Sequence, residues 1–274
     1  MGLRRNVTAG IALVLLLSFV SKFSQFRTPT FDASKTTPHP SVDLVRYPSG
    51  IPHKFDSQGN IQPFRGNTII AFLYRFSQAR FHQQLVDLYV KLDASHMNNY
   101  LYVLLPPSTW HVTFFEGVYD KIREPGRWPD DLSIDATMQE CNSLYTNKLS
   151  SFDLQTDPPY HFTFTNFATL NRSGISLHLE PSAEDNVKLR SLRDRLSTLL
   201  HIRAKDHDKY EFHLTLAYML RYLTAEQQQE LENLLASSLQ AIPKELKLHA
   251  PEFCTFEDIT TFRQVLHLRT PPAL

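Results

Sequence analysis

Acid and base cancel in this chain: 28 lysines and arginines stand against 28 aspartates and glutamates, for a formal net charge of zero. That balance provides no broad basic surface for long nucleic acid and suits small or terminal substrates better than duplexes. Cysteine is scarce. Cys141 and Cys254 are the only two, too few for a disulfide framework; they are free to pair in an oxidising compartment or to sit as ordinary buried thiols. No short repeat is visible. No Gly-x-Ser-x-Gly occurs either, so the strained elbow that presents a hydrolase serine is missing. The apolar run at residues 11–20 falls short of the ~20 residues a full membrane span takes.

That run nevertheless has the layout of a secretory signal, with Arg4 and Arg5 before it and Ser21 and Lys22 closing it. No small-x-small cleavage site follows, because Lys22, Phe23, Gln25 and Phe26 occupy those positions. Residues 1–26 therefore read as an uncleaved signal anchor with a lumenal body, ahead of a cleaved signal peptide on a secreted protein. The absence of acidic residues before Asp32 leaves a mitochondrial address as the other reading. Asn6 stands where myristoylation wants Ser or Thr. Residues 27–54, rich in Pro, Ser and Thr, read as a stem or linker, and residues 55–274 as the folded domain. Asn171-Arg172-Ser173 is a glycosylation sequon in an expected hairpin turn.

Within the domain, periodicity predicts strands at 67–74, 100–105, 111–118 and 212–220, with closing strands near Lys247 and Val265. It predicts helices at 78–92, 134–149, 184–200 and 225–239, and a hairpin across 160–179. Strand–helix–strand units occur twice, which suits two similar lobes of α+β type with largely antiparallel strands.

Two of these strands carry the same device: Trp110-His111-Val112-Thr113-Phe114 and Phe212-His213-Leu214-Thr215-Leu216. Residues two apart share a face of a strand, so each strand offers one imidazole and one hydroxyl, backed by apolar side chains. Two such strands across a cleft would hold the equipment for acid–base chemistry on a phosphate ester without a metal. His161-Phe162-Thr163 has the same spacing but opens the hairpin, and it is expected not to be catalytic. By pleat parity Glu211 and Ala217 share the face of His213, and Phe115 that of His111. Ala217 would leave room beside the phosphate. Glu211 reads as a solvated strand-start residue or as an orienter of an imidazole, and Phe115 as core or as a stacking surface for a base. Trp110 points away and should pack.

The paired motifs resemble the 2H phosphoesterase superfamily, which includes RNA ligase-like proteins and cyclic nucleotide phosphodiesterases. Phe55-Asp56-Ser57-Gln58-Gly59 leading to Phe64-Arg65-Gly66-Asn67-Thr68, Leu105-Pro106-Pro107-Ser108-Thr109, and the stretch from Pro251 to Asp258 resemble its DUF1868 subgroup. The resemblance implies a two-lobed, pseudo-symmetric α+β fold with antiparallel sheets flanking a central cleft. It implies His111 and His213 as acid–base catalysts, Thr113 and Thr215 as phosphate contacts, and no metal or other cofactor. The expected substrate is a 2′,3′-cyclic phosphate or a related nucleotide or RNA-end ester, handled by a monomer that meets a membrane only through its N-terminal segment.

Two rivals stand beside this reading. One is a nucleotide-binding module of the same fold without turnover, although neither His nor Thr is replaced. The other is a signal-anchored glycosyltransferase holding a divalent cation on Asp206-His207-Asp208. A zinc site from His201, His207 and His213 is weaker, since a spacing of six does not place them on one helix face.

Overall fold

The computed structural model describes residues 47–74, 76–167 and 173–270. The described residues form one compact unit. It takes in the chain ahead of residue 55 because Ile51 and Phe55 are both buried.

Nine strands and four helices follow: β1 (Gly66–Phe72), α1 (Ala79–Asp93), β2 (Tyr102–Leu104), β3 (His111–Tyr119), α2 (Met138–Ser150), β4 (Tyr160–Phe167), β5 (Gly174–Pro181), α3 (Ala183–Leu200), β6 (His213–Met219), α4 (Ala225–Leu239), β7 (Glu245–Leu248), β8 (Glu252–Asp258) and β9 (Thr261–His267). Local chemistry sets the helix ends. α2 begins at Met138, four residues later than its apolar spacing suggests, because Thr137 and Glu140 form a reciprocal capping box there. Thr224 and Gln227 do the same for α4, and Ser182 accepts from the Asp185 N–H at the start of α3. α1 has no side-chain cap and is held by burial of Phe81, Leu85, Leu88 and Leu92 on one face. β8 is a strand that periodicity did not announce, since Glu252 is buried and interrupts the apolar alternation.

The strands make one sheet in the order β7-β4-β5-β6-β3-β1-β8-β9, with β2 beside β6. Every pairing is antiparallel. The two His-x-Thr strands meet at the centre and divide the sheet into two halves of matching order, β3-β1-β8-β9 and β6-β5-β4-β7. They share one register pair, Val112 with Leu214. Beyond it β6 turns to β2, so the halves part and a cleft opens between them.

One large core joins the helices to the sheet, with Phe81, Leu88, Phe114, Tyr145, Leu192 and Leu216 at its heart. A smaller cluster of Ile51, Phe55, Phe64, Leu105, Leu220, Phe256 and Ile259 packs with Tyr119, Tyr218 and Phe262 beside the cleft. The segment ahead of β1 thus forms one wall of the cleft.

Candidate active site

Each His-x-Thr strand is interrupted just after its threonine. On β3, Thr113 and Phe115 oppose Ile70 and Ile69 of β1, leaving Phe114 as an extra residue. On β6, Thr215 and Ala217 oppose Ser176 and Ile175 of β5, leaving Leu216 extra. These are two β-bulges at equivalent places, and each reverses the inward–outward phase of the strand beyond it. Phe115 and Ala217 are therefore buried in the core, against the face that simple alternation assigns them. Their successors Glu116 and Tyr218 join His111, Thr113, His213 and Thr215 around a cavity of about 110 Å³.

Buried groups hold the bulges in place. Arg193, on α3, donates from Nη1 to the carbonyl of the extra residue Phe114 at 2.7 Å, with its guanidinium 4.0 Å from the Tyr210 ring centre. On the other half, Gly174 lies so close to the bulge that a Cβ there would fall 2.1 Å from the Ala217 carbonyl oxygen. Only glycine fits.

Both imidazoles are oriented by main chain. His111 Nδ1 lies 2.6 Å from the Thr109 carbonyl and His213 Nδ1 lies 2.9 Å from the Glu211 carbonyl. A carbonyl only accepts, so each Nδ1 carries its proton and each Nε2 is left for chemistry. The Pro106-Pro107-Ser108-Thr109 stretch makes a 3-10 turn that delivers the first of these carbonyls. Glu211 thus orients His213, but through its backbone; its exposed carboxylate lies 4.0 Å from His178 instead.

The two histidines differ in their surroundings. His111 packs edge-on to Phe262 with ring centres 4.7 Å apart, and to Phe72 at 6.2 Å. Burial pulls its pKa down to about 4, partly offset by the Thr109 carbonyl and deepened by His213 and Lys54. His213 is opposed in register by His178 and lies 6.1 Å from the Tyr210 ring. Each threonine has a polar neighbour. Tyr210, whose hydroxyl is held protonated by burial and by Glu116, lines the cavity beside Thr113. Ser176 Oγ donates to Thr215 Oγ1 at 3.1 Å, which leaves the Thr215 proton free to donate. Glu116 faces the cavity with its carboxylate on Arg127, 2.9 Å away.

Sequence reasoning located the histidines and threonines but not Lys54, Glu116, Tyr119, Tyr210, Tyr218 or Phe262, which also line the cavity. The quoted family stretches prove mostly architectural. Asp56 accepts from the Gln58 and Asn60 amides to fold a turn. Asn67 is buried and accepts from the Val118 N–H at 3.0 Å.

The other candidates lie elsewhere. His161 Nδ1 pairs with Asp185 at the start of α3, and Trp110 is buried against α1. His201 pairs with Asp130 and His207 with Asp194, far apart in role from His213 in the cleft. In the Asp-x-Asp triplet, Asp208 is bound to Arg203 and Asp206 faces Arg127, so two guanidiniums already take the charge a cation would need. Cys141 and Cys254 are buried free thiols, pushed by burial to about 11 and about 12. A wider groove of about 1220 Å³ runs between α2 and the β8–β9 hairpin without a histidine; its Arg123 is consumed by Asp120 and two carbonyls. The sequon at Asn171 and the expected anchor at 1–26 lie outside the described residues. Among the described residues no helix is long and apolar enough to cross a membrane.

With two imidazoles and two hydroxyls converging on one cleft, relatives become informative. Residues 54–173 match a family model described as 2H-phosphodiest, domain of unknown function (DUF1868). That stretch takes in His111 and Thr113 of the first motif. Among solved structures, a conserved protein of unknown function, ATU0111 of Agrobacterium tumefaciens, is similar to it at 25% identity and a TM-score of 0.72. The match covers 83% of this chain and 96% of that one. TT0787 of Thermus thermophilus matches at 13% identity and a TM-score of 0.42, over 75% of this chain and 99% of its own. LigT of E. coli matches at 11% and 0.42, over 76% and 100%. No curated protein matches. The chain thus combines paired His-x-Thr strands with a cleft between them.

Proposed function

We propose that this protein is a metal-independent phosphodiester hydrolase acting on 2′,3′-cyclic phosphates or related nucleotide and RNA-end esters. The observation that carries the reading is the pair of Nε2 atoms in one cleft, each freed by a carbonyl that holds its Nδ1.

In-line hydrolysis needs a base on one side of phosphorus and an acid on the other. His111, kept neutral by its apolar surroundings, suits the base. It takes a proton from water as the water oxygen bonds to phosphorus. His213, as imidazolium, gives its Nε2 proton to the ribose oxygen as the P–O bond breaks. Thr113 and Thr215 donate to the non-bridging oxygens, where charge builds up in the transition state. The ring position of Phe262 fixes the His111 imidazole in its plane. Delivery through the secretory pathway, as a single-pass anchored or secreted protein, goes with this reading; a glycosidase-sensitive mass at Asn171 is its test.

The deciding experiment is turnover of 2′,3′-cyclic nucleotides and 2′–5′ dinucleotides with chelator present, by the full chain and by His111→Ala and His213→Ala. Turnover that survives chelation and collapses in both variants is expected. Activity that outlives loss of either histidine would overturn the mechanism, and no turnover on any member would shift weight to binding without catalysis.

A further inference from the structure

The cleft holds one cation whose place the two motifs do not explain. Lys54 precedes β1 and belongs to neither His-x-Thr strand. Its backbone is clamped on both sides: its N–H donates to the Gly50 carbonyl at 2.8 Å, and its own carbonyl accepts from Gln62 at 2.9 Å. The neighbouring Phe55 is fully buried, with its ring 5.9 Å from Tyr218, and Gly50 lies against that same ring. The turn is built, and it aims the side chain inward.

At the tip, Lys54 Nζ donates to the Tyr218 hydroxyl at 2.7 Å. The ammonium sits 4.3 Å from the Tyr218 ring centre and 5.4 Å from that of Phe64. Among the described residues no carboxylate pairs with it. The one carboxylate lining the cavity, Glu116, is bound to Arg127. An ammonium carries three donors, and the phenol uses one. Because Tyr218 accepts from Lys54, its own proton is turned outward as a further donor. A half-buried cation with aromatic walls and no counter-ion among the described residues leaves a local excess of positive charge in the cleft. With only the His111 imidazole held neutral by burial beside it, that is the electrostatic profile of an anion site, not of a structural ion pair.

Resting on the phosphodiesterase reading of this cleft, we propose that Lys54 is a further substrate-binding residue, gripping a non-bridging phosphate oxygen with Tyr218 as its positioning partner. Thr113 and Thr215 are supplied by the two strands; Lys54 adds a full charge from a third element. The i+5 positions of the two motifs thereby differ in function. Tyr218 presents a cation to the phosphate. Glu116 leaves an acceptor at the other half of the cleft, where a hydroxyl of the esterified group would be received. A compact anion with a neighbouring hydroxyl is the substrate class this combination selects.

Calorimetric titration of the full-length protein with inorganic phosphate tests the assignment without relying on turnover. Saturable binding is expected for the wild type, weakened at least tenfold in Lys54→Met and Lys54→Gln, a few-fold in Tyr218→Phe, and largely kept in Lys54→Arg. Thermal unfolding of each variant identifies any that fails to fold, and either neutral substitution suffices. Equal phosphate affinity in a folded neutral variant would overturn the proposal, as would absence of saturable binding by the wild type. The two readings fail separately. Phosphate binding that depends on Lys54, without histidine-dependent turnover, supports the anion site and sinks only the hydrolase reading. Histidine-dependent turnover with phosphate binding indifferent to Lys54 sinks only the lysine.

Discussion

The two halves of the sheet build the same scaffold and give it different neighbours. In each, a histidine is oriented by the carbonyl two residues before it, a threonine follows, and a bulge then brings the fifth residue onward into the cleft. Across the ladder, however, His111 meets Phe72 and Thr113 meets Ile70, whereas His213 meets His178 and Thr215 meets Ser176. Backbone repetition therefore sets where the groups stand, while the facing strand sets their surroundings, apolar from β1 and polar from β5. On the proposed mechanism, that difference is what lets one motif used twice supply a base and an acid.

The largest effect should come from the histidines themselves. His111→Ala and His213→Ala each remove a proton-transfer group, and kcat on a cyclic phosphate should fall by about 10²–10⁴-fold, with little change in the thermal midpoint. Breaking the bulges comes next and tests the halves separately. Arg193→Met strips the β3 bulge carbonyl of its donor, and Gly174→Ala forces a methyl against the β6 bulge. Each should cost about 1–3 kcal/mol in chemical denaturation. Each should also lower kcat by moving one histidine while leaving the other half of the ladder intact.

A subtler change sharpens the electrostatic difference. With its pKa near 4, His111 stays neutral in mild acid, so the acid limb of kcat/KM should lie well below the unperturbed histidine value of ~6.5. Phe262→Ala should let water reach the ring and move that limb upward. Linkage fixes the sign for stability. The folded pKa lies below the unfolded one, so this histidine's contribution is complete above about pH 6.5 and is lost as pH falls towards 4. An acid limb unmoved by Phe262→Ala would show that the ring is not what holds His111 neutral. The smallest effect belongs to His161→Ala. Its partner Asp185 lies in the first turn of α3 and neither residue lines the cleft, so kcat should be unchanged and stability should shift by less than about 1 kcal/mol.

The α+β architecture and the two motif strands were legible in the sequence, since alternation and helical spacing encode them directly. That the motif strands share one cleft was implied by the family resemblance, and His161 lies outside the lining of that cleft. What escaped has a common cause. A bulge leaves no mark in composition, so alternation carried past Thr113 and Thr215 assigns Phe115 and Ala217 to the cleft and hides Glu116 and Tyr218. Lys54 escaped for a different reason. It lies in a turn without periodicity, and only the buried neighbours Ile51 and Phe55 reveal that this stretch packs with the domain. Glu211 shows a third kind of miss: a residue next to the right place acting through its carbonyl, which side-chain chemistry does not register.

The single register pair between β3 and β6 separates two quantities that most active sites tie together. Each half is secured by its own ladders and its own bulge. The gap between the imidazoles depends on how far two strands splay from Val112 and Leu214, with β2 wedged alongside. Substitutions at that seam can widen or narrow the space for an ester while every other strand pairing stays as it is. The fold therefore sets the width of its cleft at one buried seam, apart from the ladders that hold each half together.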